Sequence, residues 1–464
     1  MVHKESFDAV AAARFGPGFT RPLYDSYCFS RLPGSLLRLL APEQLDQTGL
    51  PYLPATCFGA VGSENPPGQQ IQFDQTYPAA DHVIFIWMDG FGLDKLRLDE
   101  HSSPGFPHMQ RFSEHGSIAA LTSQFPSTTV VHSVTMASGL PPGQAGVMEW
   151  FYHEPQIGRV IAPFLLNYAG DKGYGNLLQD GYTAADIFPE GTYINALHNA
   201  GIAPYVYSSC AFTPSDFSRR MHSAATVVPT HSPATAFAQL AENLCRDRKS
   251  WHFLYLDSYD SLEHKLGASS PLALAEAENL FCLINTFITQ NIDKFPPATR
   301  IVVSADHGQV DQSPPEAVYL NRLWPELTGL LQSGRNGKAL TGAGGSGRSL
   351  MLNLQSGQQE AALLHLRELL AGKAEVFTHE QLLELGAYGP GPHRSDLRER
   401  AGHLVVLAHK SYAVGWLESD RFSVHHKGNH GGMTSAEMEI PLLSLAVDDL
   451  PERRGGQLRG TSPR

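Results

Sequence analysis

A run of seven apolar or aromatic residues, HVIFIWM (82–88), stops abruptly at Asp89-Gly90. Such a run shows no polar alternation, so it fits a strand covered on both faces better than one with a wet side. Comparable runs recur as PYVYSS (204–209), HFLYLD (252–257), RIVVSA (300–305), SLMLNL (349–354) and HLVVLA (403–408). Helical patterns separate several of them, notably TYINALHNAG (192–201), ATAFAQLAENLCRD (234–247) and PLALAEAENLFCLINTFITQ (271–290). Buried strands alternating with amphipathic helices predict an α/β fold, with a mostly parallel sheet flanked by helices.

With 464 residues the chain is long enough for about three folding units at roughly 150 residues each, or for one large core with insertions. We read residues 1–75, with a helix around SLLRLLAP (35–42), as an extension wrapping the core, and 76–330 as the α/β core. Residues 331–400 form a small inserted cap, opening with the glycine-rich LQSGRNGKALTGAGGSGR and carrying QQEAALLHLRELLAG (358–372) and EQLLELG (380–386). Residues 401–447 return to the core, and 448–464 are a loose tail. Gly342-x-Gly344-x-x-Gly347 matches a dinucleotide fingerprint in letters only. It follows a polar loop and precedes a strand, whereas the fingerprint needs a strand before it and a helix after it.

Composition narrows the partners. A net charge of −12 argues against a broad electrostatic grip on nucleic acid or anionic lipid, but leaves a small phosphorylated substrate open. A hydrophobic share of 42% supports a sizeable core. The five cysteines are odd in number, widely spaced and without a C-x-x-C pair, unlike a disulfide framework or zinc finger. The first residues lack the apolar region of a secretory signal, and no stretch approaches the ~18 apolar residues of a membrane span. The expectation is a soluble cytoplasmic protein. Oligomeric state is not readable.

The 21 histidines direct attention to metals and proton transfer. Asp89 ends the first apolar run and Asp306-His307-Gly308 ends another. Asp260 and His264 come after HFLYLD at i, i+4, which on a helix sets both side chains on one face. His430-Gly431-Gly432 sits in a loop before IPLLSLAV (440–447). An aspartate at a strand end often only caps a helix. Loops at the carboxyl ends of parallel strands, however, converge on one crevice, where three carboxylates and three imidazoles would meet. That mixed donor set suits two divalent ions, zinc first and manganese second. In QFPSTTVVHSVTMASGLPPGQAGV (124–147), Ser127, Thr128 and Thr129 stand before a helix. Hydroxyls there commonly cap, but the helix start also favours a phosphoryl group, and a metal beside a hydroxyl makes it a nucleophile. Residue type alone does not separate Thr128 from Thr129.

In this order, the motifs resemble the alkaline phosphatase superfamily, and within it the type I phosphodiesterase/nucleotide pyrophosphatase branch. The likeness spans roughly residues 80–447, and MTSAEMEIPLL is similar to the segment just after that branch's last metal histidine. It implies a three-layer sandwich with a mostly parallel central sheet and a small cap. Asp260, His264 and His430 would hold one metal. Asp89, Asp306 and His307 would hold the other, beside a nucleophile placed at Thr129. The implied chemistry is in-line attack by Thr129 on phosphorus, then hydrolysis of a phospho-threonine. Two departures stand out: Ala145-Gly146 replaces a usual His-Gly, and Trp150 occupies the place of an asparagine that contacts a phosphoryl oxygen. Arg159 and Lys172 are the nearby basic candidates for that contact, and Trp150 for the leaving-group pocket. No Cys-x-Pro-x-Arg sequence surrounds Cys57 or Cys210, which rejects a sulfatase. The resemblance also admits a phosphomonoesterase, phosphonate hydrolase or phosphomutase, and a non-catalytic metal-binding relative.

Overall fold

The computed structural model describes residues 1–59, 77–96, 105–213, 215–340, 346–418 and 421–453. Gly342 and Gly344 of the glycine motif, residues 60–75 of the extension and 454–464 of the tail lie outside the described residues. We label the strands β1 (His82–Met88), β2 (Ser117–Thr122), β3 (Ala203–Ser209), β4 (Thr226–Thr230), β5 (Ser250–Leu256) and β6 (Thr299–Ser304), then β7 (Ser349–Leu352), β8 (Ala374–Thr378), β9 (Leu404–Ala408) and β10 (Glu439–Ala446).

The large sheet has seven strands among the described residues, in the order β2-β10-β6-β1-β5-β3-β4. β1 lies at its centre with all seven residues buried, as its unbroken apolar run requires. It pairs in parallel with β5 and β6, Phe85 facing Phe253 on one side and Val302 on the other. The register sets Met88 opposite Leu256 and Trp87 opposite Ser304. Asp89, the Asp260 segment and Asp306 therefore leave the sheet along one edge.

β10 runs antiparallel to both β6 and β2. This reversal has a consequence for the site. A loop that precedes a strand reaches the carboxyl edge of its parallel neighbours only if that strand runs backwards, which is how His430 arrives beside Asp306. The sheet is mostly parallel, with β10 reversed between β6 and β2.

β7, β9 and β8 form a separate antiparallel sheet, with β9 in the middle. The helix Gln359–Leu369 packs on it, and Leu350, Leu352, Leu366, Leu370, Val376, Val406 and Trp416 make a second hydrophobic core. The runs at 349–354 and 403–408 thus belong to this small sheet, not to the large one. At the front of the chain, Phe19, Phe29, Leu32 and Leu36 enter the main core. Arg14 clamps Glu439 through two 2.7 Å hydrogen bonds.

The helix Pro271–Asn291 corrects one expectation. At 21 residues with a mean hydropathy of 1.2 it is long and apolar enough to cross a membrane by length and composition. Ala273, Ala277, Leu280, Phe281, Ile284 and Ile288 are buried at helical spacing, so one face of it packs into the main core.

Candidate active site

Thr129 opens the helix Thr129–Ser138, with Thr128 in extended conformation just before it. No hydroxyl caps this helix: Thr128 makes no side-chain cap bond, and its Oγ1 is buried without a partner. Thr129 Oγ1 instead lies 3.3 Å from Asp89 Oδ1 and 3.2 Å from His307 Nε2. The capping explanation for this Ser-Thr-Thr segment therefore fails at both threonines.

Around Thr129 the acids and imidazoles form one group. Asp89, Asp306 and His307 offer ligand atoms that lie within 4.8 Å of one another, and so do Asp260, His307 and His430. His264 Nε2 joins through Asp260 Oδ2 at 3.3 Å, on the helix Ser258–Leu266. His307 and His430 stack with ring centroids 3.6 Å apart. Two glycines permit this closeness. A Cβ on Gly308 would stand 2.1 Å from the carbonyl oxygen of Ala436, and Gly90 holds φ at 78°.

The orientation of the imidazoles suits ligation. His264 Nδ1 faces the carbonyl of Gly428 at 2.9 Å, His430 Nδ1 that of Ser127 at 2.9 Å, and His307 Nδ1 that of Gly308 at 3.1 Å. A carbonyl only accepts, so each Nδ1 carries a proton, and each Nε2, turned toward the carboxylates, is the atom left to bind a cation. Asp306 Oδ2 is buried without a hydrogen-bond donor of good geometry. Burial, then the charges of Asp306 and Asp260, push the Asp89 carboxyl well above its usual range. Burial would also raise Asp306, but His307 beside it outweighs this and holds it low. Burial with His307 and His264 nearby keeps His430 well below the usual histidine range. Buried carboxylates crowded in this way call for positive charge, and the free Nε2 and carboxylate lone pairs fit divalent cations.

The residues match a known family. A family model described as type I phosphodiesterase / nucleotide pyrophosphatase covers residues 83–433. The chain belongs to that family. Its fold is similar to that of human ectonucleotide pyrophosphatase/phosphodiesterase 5, at 15% identity and a TM-score of 0.57 over 82% of this chain and 96% of that one. The murine counterpart gives 17% identity and a TM-score of 0.55, over 78% and 87%. An inactive murine variant in complex with AMP gives 16% and 0.55, over the same shares. A sequence search of curated proteins returns no match. The fold is of the alkaline phosphatase type, and the chain is a phosphodiesterase/nucleotide pyrophosphatase-type hydrolase acting on phosphate esters.

In this phosphodiesterase-family chain a cavity of about 920 Å³ opens over Thr129, Asp89, Asp260, His264 and His430. Trp150 lines it and is 39% exposed at its mouth. Arg159 and Lys172 are not among its lining residues. The Arg159 guanidinium lies 3.4 Å from the centroid of the Tyr168 ring, and Lys172 is exposed just after a turn. Among the described residues the arginine that borders the cavity is Arg421, nine residues before His430, and a lone arginine there carried no signal in sequence. Tyr255 was also missed. Its hydroxyl donates to Asp89 Oδ2 at 2.5 Å. The only hint was a hydroxyl inside the otherwise apolar HFLYLD. Glu149, buried at the cavity wall, gave no hint either, because a single glutamate usually reads as surface charge.

Proposed function

We propose that this chain is a two-metal phosphodiesterase or pyrophosphatase of small phosphorylated substrates, with Thr129 as its nucleophile. The observation that carries the reading is the position of Thr129 Oγ1, at a helix start and within 3.3 Å of both Asp89 and His307. Two divalent cations, zinc before manganese, held by Asp89, Asp306 and His307 and by Asp260, His264 and His430, would supply the positive charge that favours an alkoxide and neutralises the phosphoryl group. Thr129 attacks phosphorus in line with the leaving oxygen, giving a phospho-threonine that water then hydrolyses. The start of the Thr129–Ser138 helix has no side-chain cap, and its positive dipole end would favour the phosphoryl oxygens. Asp89 is held by Tyr255, and His264 and His430 by backbone carbonyls, so these side chains need little rearrangement before reaction. The free state of Cys28, Cys57, Cys210, Cys245 and Cys282 supports a reducing compartment such as the cytoplasm.

The test combines metal content with turnover of bis(p-nitrophenyl) phosphate and p-nitrophenyl phosphate. The reading expects about two metals per chain, preference for the diester, and loss of turnover in Thr129→Ala. Preference for the monoester would move the assignment to a phosphomonoesterase on the same core. Stoichiometric metal without turnover of either would favour the non-catalytic relative, and an inert Thr128→Ala beside an active Thr129→Ala would displace the nucleophile.

A further inference from the structure

Five aromatic side chains that line the cavity over Thr129 touch one another in a continuous belt. Phe422 meets Phe151 with ring centroids 5.5 Å apart, and Phe151 meets Trp150 at 6.5 Å. Trp150 meets Phe164 at 5.9 Å, and Phe164 meets Phe217 at 4.8 Å, every pair edge to face. None of the five is buried. A contiguous apolar surface left open to water in one place marks a binding surface. The Phe422 end of the belt is held at a cost. Its φ is 63°, a left-handed backbone that a bulky residue rarely adopts. Gly170, at φ 81°, makes room for it, since a Cβ there would stand 2.8 Å from the Phe422 ring. Strain of this kind persists only where the surroundings fix it, and here it keeps a ring in the cavity wall.

Four of the five rings are phenylalanines, which offer neither a donor nor an acceptor. A polar edge laid against them would lose its water without replacement, so the belt selects a group that is apolar over its surface. Charge on that group would also go largely unanswered, because among the described residues the cavity lining includes one arginine, Arg421, and no lysine. At about 920 Å³ the cavity is far larger than a phosphoryl group needs and lies in the range that takes a sizeable organic group. Thr129, Asp89, Asp260, His264 and His430 border the same space, so one ester can reach both ends. Resting on the hydrolytic reading above, we propose that the belt is the subsite for a bulky, uncharged apolar group esterified to phosphorus, an aryl ring or a hydrocarbon chain, and that it sets the substrate preference among phosphodiesters. Burial of that group is the same in bound substrate and transition state, so it acts on KM and not on kcat.

Phe151→Ala and Phe422→Gly each take one ring out of the belt, and the glycine also relieves the left-handed backbone. The metal-loaded full chain and both variants would be titrated by calorimetry with methylphosphonate, phenylphosphonate, n-hexylphosphonate and AMP. Methylphosphonate reports the phosphoryl end alone. In the wild type we expect phenylphosphonate or n-hexylphosphonate to bind about tenfold or more tighter than methylphosphonate, the two arms telling a ring from a chain, and AMP to gain less. Either variant should cut that preference to about threefold or less, with methylphosphonate affinity and metal content unchanged. Each should also raise KM for bis(p-nitrophenyl) phosphate about fivefold or more, with kcat within about threefold of wild type. A wild-type preference below about threefold, or one that both variants retain, overturns the subsite and leaves hydrolysis by Thr129 untouched. AMP binding tighter than both phosphonates, and weakened in the variants, makes the occupant a nucleobase and overturns the apolar assignment. The expected preference in a protein that turns over no ester keeps the subsite and sinks the hydrolytic reading. If Phe151→Ala does not fold, Phe422→Gly decides: loss of the preference at an unchanged or higher thermal midpoint supports the subsite, and its persistence refutes it.

Discussion

Ser127 and His430, 303 residues apart in the chain, are joined by a 2.9 Å hydrogen bond from His430 Nδ1 to the Ser127 carbonyl. The Ser127 hydroxyl reinforces this by donating to the Gly432 carbonyl at 2.8 Å, and it accepts the Gly431 N–H at 3.1 Å. The loop that carries Thr129 and the loop that carries His430 are therefore one latch. Ser127→Ala removes the hydroxyl pair but keeps the carbonyl contact. We expect roughly a 10- to 100-fold loss of metal affinity or activity, the range typical when a ligand's support is removed. Zinc competition with a chelator reads this directly. Unchanged affinity and turnover would mean the carbonyl contact alone sets His430.

Tyr255 acts on the other side of the site, through its 2.5 Å hydrogen bond to Asp89 Oδ2. Burial beside Asp89 holds the phenol well above its usual pKa, so it remains a donor throughout the working pH range. Tyr255→Phe keeps the ring, which packs edge-on to Trp87 at 5.7 Å. We expect a stable variant with kcat lowered on the order of tenfold or more and its thermal midpoint nearly unchanged. A large drop in midpoint with normal kcat would show that the hydroxyl supports the fold and not Asp89.

The strand ends were legible because apolar runs in a doubly covered sheet are long, and the acids stopping them stand out against that background. Asp89, Asp306 and the Asp260-x-x-x-His264 pair could be found that way. The direction of β10 was not legible, since an apolar run reads the same in either sense, yet that direction is what brings His430 to the site. β4 escaped notice for another reason. It is an edge strand, TVVPT, with only Thr230 buried, and has no clean apolar run. β9 was assigned to the large sheet because nothing in HLVVLA reports its antiparallel partners in the cap. Glu149 and Arg421 come to the cavity only through tertiary packing, which single residue types do not announce.

The small antiparallel sheet is tied to the segment that follows His430 by a buried ion pair. Arg348, just before β7, donates to both carboxylate oxygens of Glu437 at 3.0 and 3.1 Å, and both side chains are inaccessible to solvent. Arg348 also donates to the carbonyls of Ala408, His409 and Tyr412, while Glu437 accepts the N–H groups of Gly432 and Thr434. Breaking a buried pair by removing one partner leaves the other charge uncompensated, typically costing about 3–5 kcal/mol. Arg348→Met should therefore lower the thermal midpoint by several degrees or abolish folding. The double variant Arg348→Met with Glu437→Gln should recover part of that loss. A double variant no better than the single one would place the energy in the carbonyl contacts instead.

Buried neutral histidines set the acid limit of the fold. His132 accepts the Gln124 N–H at Nε2 and faces the Thr128 carbonyl through Nδ1, and burial lowers it to about 4. His252, held between Ser250 and Tyr207, is lowered by burial to about 3, and His222 to about 4. In the unfolded chain these groups return to about 6.5. Between roughly pH 6.5 and 4 the unfolded state therefore binds more protons at these sites than the native one, and their share of the stability falls as pH falls through that window. Buried acids held above their usual range, Asp89 and Glu149 among them, act in the opposite sense over the same pH range, so the histidine share is read from a difference. The gap in thermal midpoint between wild type and His252→Gln should be constant from pH 8 to about 6.5 and should shift in favour of the variant below it. A gap that stays constant from pH 8 to pH 4 would show that the native protein admits the His252 proton without opening.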